Sequence, residues 1–325
     1  MNGETLMAWA EFLPMHIPAV QVLDRMLRHG WPATTLSDGL AAEARCFLPH
    51  VMGDDTKAVS LRDFMASEMT ADREGVFARL SFLRAACRDV ALFGDLIFAD
   101  PEAFMAQSET FSLFNYGLAM GVTEASIVAT KPWVDYVSNL TRAESPILVP
   151  LVNFPAGSLV LELGGNSGVF ARVLLEARRP LQHVVLDLPA VCELGRRRGL
   201  ESGLSFVAAD MLLGDWRRVA GFEPDVILFK SVLHDWPEAE AEHILSEAIK
   251  ALAPHGQIIV AERRAFRGMV NATAMDYANL VFAAFYREPE VYRAMLQRLC
   301  ADLSVTVTYT MIDMEWFVLT ARRAA

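Results

Sequence analysis

The sequence predicts an α/β protein in which a helical first part precedes a mostly parallel sheet covered by helices. From residue 158 onward, short apolar runs alternate with stretches of helical periodicity, a pattern typical of a parallel sheet with helices on both faces. Two further runs near the end, 305–310 and 316–320, suit an antiparallel hairpin. The predicted strands of the alternating part lie at 158–163, 183–187, 204–209, 225–230 and 257–262.

The composition excludes several classes of protein. With 325 residues, of which 53% are apolar, the chain is long enough for one large domain and a smaller one. The formal net charge of −11 argues against nucleic acids and anionic membranes as partners. The four cysteines form no CxxC pair, so neither a disulfide framework nor a zinc site is predicted. We therefore predict no metal site, and the cysteine pattern favours a reducing cytoplasm. The lack of a signal-peptide pattern and of a long apolar helix agrees with a cytoplasmic protein.

The first 105 residues predict helices and carry no glycine loop or catalytic group. Helical spacing is found at 19–27 and 76–93, and the pattern at 60–63 is that of a helix start. Asp100 followed by Pro101 predicts another helix start, with Asp100 as the cap. Since this acidic segment has large apolar faces and no chemistry of its own, we predict that it forms a homodimer interface.

An aromatic and methionine-rich stretch follows this segment. Such side chains belong more often to a core than to a pocket. The stretch contains Phe104, Phe111, Phe114, Tyr116, Met120 and, later, Trp133. Their position just before the predicted sheet still makes them candidates for one wall of a substrate cavity. Three prolines between residues 141 and 155 then predict a linker.

The segment after the first predicted strand carries the clearest signal of a binding site. Gly164 and Gly165 follow the strand, and Gly168 opens a helix, which is the geometry of a nucleotide-binding corner. Glu162 stands at the strand end, and the loop contains no Lys or Arg. This carboxylate would repel a pyrophosphate and attract an ammonium and a sulfonium, which favours S-adenosylmethionine (SAM) over a dinucleotide. The alternative is that Glu162 merely faces solvent.

Two more acids stand at or after the ends of the next predicted strands. Asp187 lies nineteen residues beyond Gly168, a distance that suits hydrogen bonds to ribose hydroxyls in either class of cofactor. Asp210 and Met211 could offer a carboxylate to the adenine amino group and a thioether to its ring. Either acid alone could be a helix cap, but three acids in order on adjacent strands favour a cofactor site.

The segment after the fourth predicted strand carries the candidate general base. His234 lies just past this strand, and Glu262 ends the neighbouring one, so a carboxylate could orient the imidazole. Asp235 and Glu238, with Pro237 between them, predict a capping box that starts a helix over 237–253. His234 precedes this cap, and the alternative for it is a solvated loop histidine.

These motifs resemble those of the SAM-dependent O-methyltransferases of the caffeate, acetylserotonin and hydroxyneurosporene type. The resemblance covers about residues 146–325 and rests on Leu-Glu-Leu-Gly-Gly-Asn-Ser-Gly, Val-Val-Leu-Asp-Leu-Pro, Ala-Asp-Met, Lys-x3-His-Asp-Trp and Val-Ala-Glu. It implies a Rossmann-like SAM domain at 146–325 with seven strands, connecting helices and a linker at 106–145, and a winged-helix-like dimerisation domain at 1–105. The implied acceptor is a hydroxyl of a small aromatic or polyketide-like secondary metabolite.

The resemblance also implies roles for individual residues. His234 would be the general base and Glu262 its partner. The helix over 274–285 would line the substrate, with Asp276 as a further candidate on it. The implied cofactor contacts are Glu162, Gly164, Gly165, Asp187, Leu188, Asp210, Met211, Lys230 and Trp236, and the implied substrate contacts are Phe114, Met120, Met275, Asn279 and Phe282.

Two positions depart from the family pattern. Asn166 stands where the family commonly has a third glycine, which should alter the loop without forbidding SAM. The family's second catalytic Glu falls on Glu288 or, if the sequences are aligned on Tyr292, on Tyr286. This ambiguity keeps a SAM-binding enzyme that catalyses hydroxylation, decarboxylation or a pericyclic rearrangement as the alternative function. A nicotinamide-dependent dehydrogenase is a more distant alternative.

Overall fold

The computed structural model describes residues 21, 22, 25, 26, 29, 36–47, 70–178, 182–214, 216–266 and 280–323. Its strands are β1 (Leu159–Leu163), β2 (Gln182–Asp187), β3 (Leu204–Ala208), β4 (Val226–Lys230), β5 (Gln257–Arg263), β6 (Leu303–Met311) and β7 (Glu315–Arg323). The described helices of the first part are α1 (Asp38–Phe47), α2 (Thr70–Phe93), α3 (Leu96–Ala99), α4 (Pro101–Gln107), α5 (Glu109–Leu113), α6 (Tyr116–Ala119) and α7 (Glu124–Leu148). Those of the second part are α8 (Val169–Arg178), α9 (Pro189–Arg197), α10 (Trp216–Ala220), α11 (Glu238–Ala251) and α12 (Pro289–Leu299).

The strands form one seven-stranded sheet in the order β3-β2-β1-β4-β5-β7-β6. The pairs among the first five strands are parallel, whereas β7 runs antiparallel to both β5 and β6. The predicted fold class, a mostly parallel sheet with a terminal antiparallel hairpin, is therefore confirmed. β4 and β5 are buried along their whole lengths, as expected for central strands covered on both faces.

The register of the parallel strands brings their carboxyl ends to one edge of the sheet. Glu162 of β1 pairs with Leu228 of β4, and Lys230 of β4 pairs with Ala261 of β5. On the other side, Asp187 of β2 pairs with Ala208 of β3. Because ligands of such sheets bind beyond the carboxyl ends of the strands, this edge is where a site is expected.

Apolar cores lie on both faces of the sheet. One face packs on α11 and α12, through Ile244, Leu245 and Tyr292 among others. The opposite face packs on α8 and the end of α7, where Leu148 and Phe170 are buried. A separate cluster joins the first part to the sheet domain, because Phe82 of α2 and Tyr136 of α7 pack with residues of α9.

Helix α7 corrects the predicted linker. It continues through Thr141 to Leu148, so only the residues after it form a connection to β1. Pro146 lies inside the helix, where it removes one backbone hydrogen bond and normally destabilises a helix. Tertiary packing outweighs this local preference, because Thr141, Glu144 and Leu148 are buried against the sheet domain.

The helix predicted over 76–93 is confirmed as part of α2, and the start predicted at Asp100 and Pro101 is confirmed in α4. The carboxylate of Asp100 accepts a hydrogen bond from the backbone N–H of Ala103 (3.0 Å). Most of 19–27 and all of 60–63 lie outside the described residues. Within the described part of the chain, no helix combines the length and hydropathy of a membrane span.

Candidate active site

The glycine loop after β1 passes so close to its neighbours that side chains would not fit at its first two glycines. Gly164 has a φ of +66°, and a Cβ there would stand 2.6 Å from a methyl group of Val232. A Cβ at Gly165 would stand 2.8 Å from the carboxyl carbon of Glu162. The N–H of Gly164 donates to the carbonyl oxygen of Leu186 at 2.8 Å, which ties the loop to β2. Both glycines are therefore required by close approach.

Asn166 takes the place of a third glycine and holds the loop by hydrogen bonds. Its φ is +53°, in the left-handed region that Asn tolerates better than most residues. Its side-chain oxygen accepts a hydrogen bond from the N–H of Ser167 (2.7 Å) and lies 3.1 Å from the hydroxyl oxygen of Ser138 on α7. Its own N–H donates to Asp187 at 2.8 Å. The altered loop thus connects α7 with the carboxylate predicted to bind ribose.

Glu162 lies beneath the loop, and its interpretation as a solvent-facing residue is wrong. The side chain is 2% exposed, and its Oε2 lies 2.8 Å from Nε2 of the fully buried His183. No lysine or arginine among the described residues forms an ion pair with it. A buried carboxylate without a cation is costly, which makes this position suited to a positively charged ligand group.

Asp187 ends β2 with both carboxylate oxygens held by backbone donors. Asn166 donates to Oδ2 at 2.8 Å, and Leu188 donates to Oδ1 at 2.7 Å. Burial raises the pKa of Asp187 to about 6, against the lowering effect of these two donors, and the nearby charge of Glu162 raises it further. Each oxygen retains a lone pair, so the carboxylate can still accept a ligand hydroxyl.

Asp210 and Met211 follow β3. The Asp210 carboxylate accepts a hydrogen bond from the N–H of Leu212 (2.9 Å) and so caps the short 3₁₀ turn Met211–Leu213. The methyl carbon of Met211 lies 3.4 Å from the position of a Cβ on Gly164. The thioether is therefore beside the glycine loop, whereas Asp210 has at least a capping role.

Lys230 belongs to a buried ionic network, and its contact with the adenine stays a prediction. Its ammonium donates to the hydroxyl of Thr141 at 3.0 Å and to the carboxylate of Glu144, both on α7. Glu144 also accepts from Arg263 (2.6 Å), and Arg263 donates to Asp313 (2.9 Å). The charge of Lys230 is thus used to fasten α7 to the sheet.

His234 and Glu262 form a buried pair at the ends of β4 and β5. Nδ1 of His234 lies 2.6 Å from Oε2 of Glu262, while Oε1 accepts hydrogen bonds from the N–H groups of Val232 and Leu233, both at 2.9 Å. Burial alone would raise the pKa of Glu262, but His234 and the two backbone donors hold it below its usual value. The carboxylate is thus ionised and fixed, and it orients the imidazole.

The second ring nitrogen of His234 faces another carboxylate. Nε2 lies 3.2 Å from Oδ1 of Asp235, and the hydroxyl of Tyr116 donates to Oδ2 at 3.0 Å. Burial would lower the pKa of His234, but the charges of Glu262 and Asp235 outweigh it and raise the pKa above its usual value.

The predicted capping box is wrong, because α11 begins at Glu238 after Pro237 and no side chain caps it.

The structure separates the two candidates for the second catalytic position. Glu288 forms an ion pair with Arg264 at 2.6 Å, and Arg264 also binds Glu315. The ring of Tyr286 instead lies edge-on to that of His234, with 5.0 Å between the ring centres. The geometry favours Tyr286 over Glu288 as the neighbour of the imidazole.

An aromatic cluster stands between the first part of the chain and the site. The rings of Phe114 and Phe282 meet edge to face at 5.4 Å, so two predicted substrate contacts are brought together. Tyr116 packs on Trp133 at 5.7 Å, which links this cluster to Asp235. Met120 is 52% exposed. Met275, Asp276 and Asn279 lie outside the described residues.

A family model described as an O-methyltransferase domain matches residues 110–301. The chain belongs to this family. The predictions of a SAM-dependent O-methyltransferase and of its Rossmann-like fold are thereby confirmed. The matched region begins at residue 110, so it does not include the residues before it.

The enzyme also resembles individual members of the family. Demethylspheroidene O-methyltransferase of Rhodobacter capsulatus is 26% identical over 313 residues, covering 92% of this chain and 73% of the relative. Acetylserotonin O-methyltransferase of Bos taurus is 27% identical over 164 residues, covering 49% of this chain and 47% of the relative. Among solved structures, the mitomycin 7-O-methyltransferase MmcR has a TM-score of 0.72 at 17% identity, covering 99% of this chain and all of that one. Human N-acetylserotonin methyltransferase in complex with SAM has a TM-score of 0.68 at 15% identity, covering both chains fully.

Two residues of the candidate site were not predicted from the sequence: His183 touches Glu162, and Ser138 touches the Asn166 loop. Tyr116 stands in the aromatic stretch expected to wall the substrate, and its hydrogen bond to Asp235 was not foreseen. Leu188 and Trp236 stay predicted cofactor contacts. Both side chains are partly buried: Leu188 precedes α9, and Trp236 follows the turn that contains His234.

Proposed function

We propose that this O-methyltransferase transfers a methyl group from SAM to a phenolic hydroxyl of a small, flat secondary metabolite, with His234 as the general base. The observation that supports this most is the buried His234–Glu262 pair at the carboxyl ends of β4 and β5. It stands at the sheet edge where the glycine loop and the aromatic cluster also meet. An oriented imidazole is what an acceptor hydroxyl needs in order to lose its proton.

The residues around the glycine loop fit SAM. Gly164 and Gly165 leave the backbone bare for a close ligand, and the carboxylate of Glu162 lies directly beneath them without a cation. We assign Glu162 to the methionine ammonium, Asp187 to the ribose hydroxyls, and Met211 to the adenine ring. The carboxylate of Asp210 already caps the 3₁₀ turn, so it would bind the adenine through its remaining lone pairs. Bound SAM supplies an activated methyl group, so the protein needs to align the acceptor and remove its proton.

His234 would receive that proton at Nε2. Glu262 keeps the other proton on Nδ1, so the neutral tautomer has its free lone pair at Nε2. After proton transfer, the imidazolium lies between the carboxylates of Glu262 and Asp235, which stabilise its positive charge. General base catalysis of this kind contributes about 10²–10⁴-fold. Positioning of the acceptor contributes much of the remaining acceleration.

The side chains near His234 support an aromatic class of acceptor. Phe114, Trp133 and Tyr116 offer flat apolar surfaces, and Phe282 closes the cluster from the other side. Tyr286 adds an aromatic edge beside the imidazole. Such walls suit an aromatic or polyketide-like molecule better than a sugar or a peptide.

We further propose that the enzyme is a homodimer through residues 1 to about 105, joined by residues 106–145 to a catalytic domain at 146–325. Large apolar side chains of the described part are exposed there, among them Leu92 (59%) and Phe98 (57%). Exposed apolar groups on one segment are typical of interfaces. Light scattering of the full chain should give twice the monomer mass, and a monomer at micromolar concentration would contradict this proposal.

The reaction is tested by incubating the enzyme with SAM and a panel of catechols, naphthols and hydroxyanthraquinones. We expect a product in which one hydroxyl hydrogen is replaced by a methyl group, together with S-adenosylhomocysteine (SAH). Calorimetry should show binding of SAM and SAH and much weaker binding of NAD. An acceptor product that has lost CO₂ or gained oxygen would instead support the non-methylating alternative.

A further inference from the structure

Beneath the glycine loop, His183 and Glu162 form a buried pair that the proposed reaction does not use. Their side chains are 0% and 2% exposed, and Nε2 lies 2.8 Å from Oε2. His183 is the second residue of β2, at the level of Val160 in the register of β1 and β2, two residues before Glu162. The imidazole therefore lies deeper in the sheet than the carboxylate and approaches it from the side away from the loop.

The surroundings of the other ring nitrogen, Nδ1, determine the tautomer of His183. Nδ1 is buried and has no hydrogen-bond partner among the described residues. A proton on Nδ1 would be a buried donor without an acceptor, which costs more than a bare lone pair. The imidazole is therefore neutral, with its one proton on Nε2, and it donates this proton to Glu162.

A neutral donor fixes the carboxylate without cancelling its charge. A lysine or arginine in the place of His183 would neutralise Glu162 and leave no attraction for a ligand cation. With a neutral imidazole, the negative charge remains directly below Gly165, where a Cβ would stand 2.8 Å from the carboxyl carbon. One hydrogen bond thus orients the carboxylate and leaves its charge available to a ligand cation.

We propose that His183 is a positioning residue for the cofactor, which acts through Glu162 on the ammonium of the methionine moiety. This inference rests on the proposed assignment of Glu162 to that ammonium. It predicts a dependence on ligand structure that general support of the fold would not produce. Ligands with the amino-acid moiety should depend on His183, and ligands without it should not.

The test is calorimetric binding of SAH and of 5′-methylthioadenosine, which lacks the amino-acid moiety. His183→Leu should weaken SAH binding by about 10- to 100-fold, the usual effect of losing a hydrogen bond to a charged group, and leave methylthioadenosine binding within about 2-fold. His183→Gln should restore SAH binding to within about 3-fold, since its terminal amide carries an N–H at the position of Nε2. Val184→Ala is the matched control: this neighbour is also buried but belongs to the core on the other face of β2, so it should affect both ligands equally.

Glu162→Gln distinguishes the two levels of the proposal. If this variant binds SAH as tightly as the wild type, the assignment of Glu162 to the ammonium is wrong. If Glu162→Gln selectively weakens the binding of SAH and His183→Leu does not, only the role proposed for His183 is overturned. If His183→Leu weakens the binding of both ligands equally, His183 merely supports the fold.

If His183→Leu does not fold, His183→Gln is compared with His183→Asn. The asparagine amide is too short to reach Glu162, so His183→Asn should show the selective loss of SAH binding and His183→Gln should not.

Discussion

The hydroxyl of Tyr116 donates a hydrogen bond to Oδ2 of Asp235, whose Oδ1 lies 3.2 Å from Nε2 of His234. Two carboxylates therefore flank the imidazole, since Glu262 holds the opposite nitrogen. Asp235 occupies the side at which an acceptor hydroxyl would meet the proposed base. Tyr116 thus connects the first part of the chain to His234 through this carboxylate.

We predict that Asp235→Asn lowers the pKa of His234, because an opposite charge close to the ring stabilises the imidazolium. Tyr116→Phe should have a smaller effect, since the carboxylate stays in place. The pKa is measured by NMR titration of the histidine ring, with Tyr309→Phe on the exposed hairpin as the control. An unchanged pKa in Asp235→Asn would show that Glu262 alone sets the basicity of His234.

The pH dependence of turnover should report the same imidazole. Only neutral His234 can accept the proton, and its pKa is raised, so the rate should be low in acid and rise through a limb above pH 6.5. His234→Ala should lose about 10²-fold or more in turnover and should lose this limb. SAH affinity should stay within about 3-fold. Full turnover in His234→Ala would show that alignment alone carries the reaction.

Glu262→Gln should cost about as much as His234→Ala. Because Oε1 is held by the N–H groups of Val232 and Leu233, the new amide would direct its own N–H toward Nδ1 of His234. The imidazole would then carry its proton on Nε2 and could not accept another from the acceptor. A loss of about 10²-fold in turnover at unchanged SAH affinity is expected. Turnover near the wild-type value would show that the tautomer is not limiting.

The ends of the parallel strands could be predicted from sequence because they depend on local patterns. Apolar runs followed by glycines and acids place Glu162, Asp187 and His234 at one edge in any sheet of this class. The contacts that were missed join residues far apart in the chain: Tyr116 and Asp235 are separated by 119 positions, and Lys230 and Glu144 by 86. No local pattern records such pairings, because they depend on how α6 and α7 pack against the sheet.

Asp235 and Lys230 also have partners that the sequence did not predict. The residues Asp235 to Glu238 fit a capping pattern, yet the imidazole and Tyr116 compete for the carboxylate, and Pro237 starts the helix without it. For Lys230, the resemblance implied an adenine contact, and nothing in the sequence indicated its ion pair with Glu144 of α7. In both cases the tertiary partner could not be predicted from the local sequence.

The buried network of Lys230, Glu144 and Arg263 should contribute to stability and not to cofactor affinity. Glu144→Gln leaves two buried cations without a full counter-charge, which should lower the free energy of unfolding by about 3–5 kcal/mol. Lys230→Met should destabilise less and keep SAH affinity within about 3-fold. Urea unfolding and calorimetry measure the two quantities. If Lys230→Met weakens SAH binding more than 10-fold, the predicted contact of Lys230 with the adenine is supported instead.

Cofactor affinity should depend on pH through Asp187. Burial raises its pKa to about 6, and only the carboxylate can accept hydrogen bonds from both ribose hydroxyls while it keeps its backbone donors. SAH binding should therefore weaken as the pH falls through about 6. In Asp187→Asn, affinity should be reduced above this pH and nearly constant across it. Equal pH dependence in the variant would assign the titration to another group.

Asn166 should stabilise the bound form of the loop by linking it to α7. Asn166→Gly removes the strain of a positive φ, but it also removes the oxygen that binds the N–H of Ser167 and faces Ser138. We expect SAH affinity to fall by about 3- to 10-fold, equivalent to about 0.7–1.4 kcal/mol, the size of one lost hydrogen bond. Ser138→Ala should give a similar loss, and the double variant should lose no more than the larger single effect, because both act on one connection. Ser304→Ala on the exposed hairpin serves as the control. If the two losses add, or if Asn166→Gly binds SAH more tightly, the glycine loop does not depend on α7 for its shape.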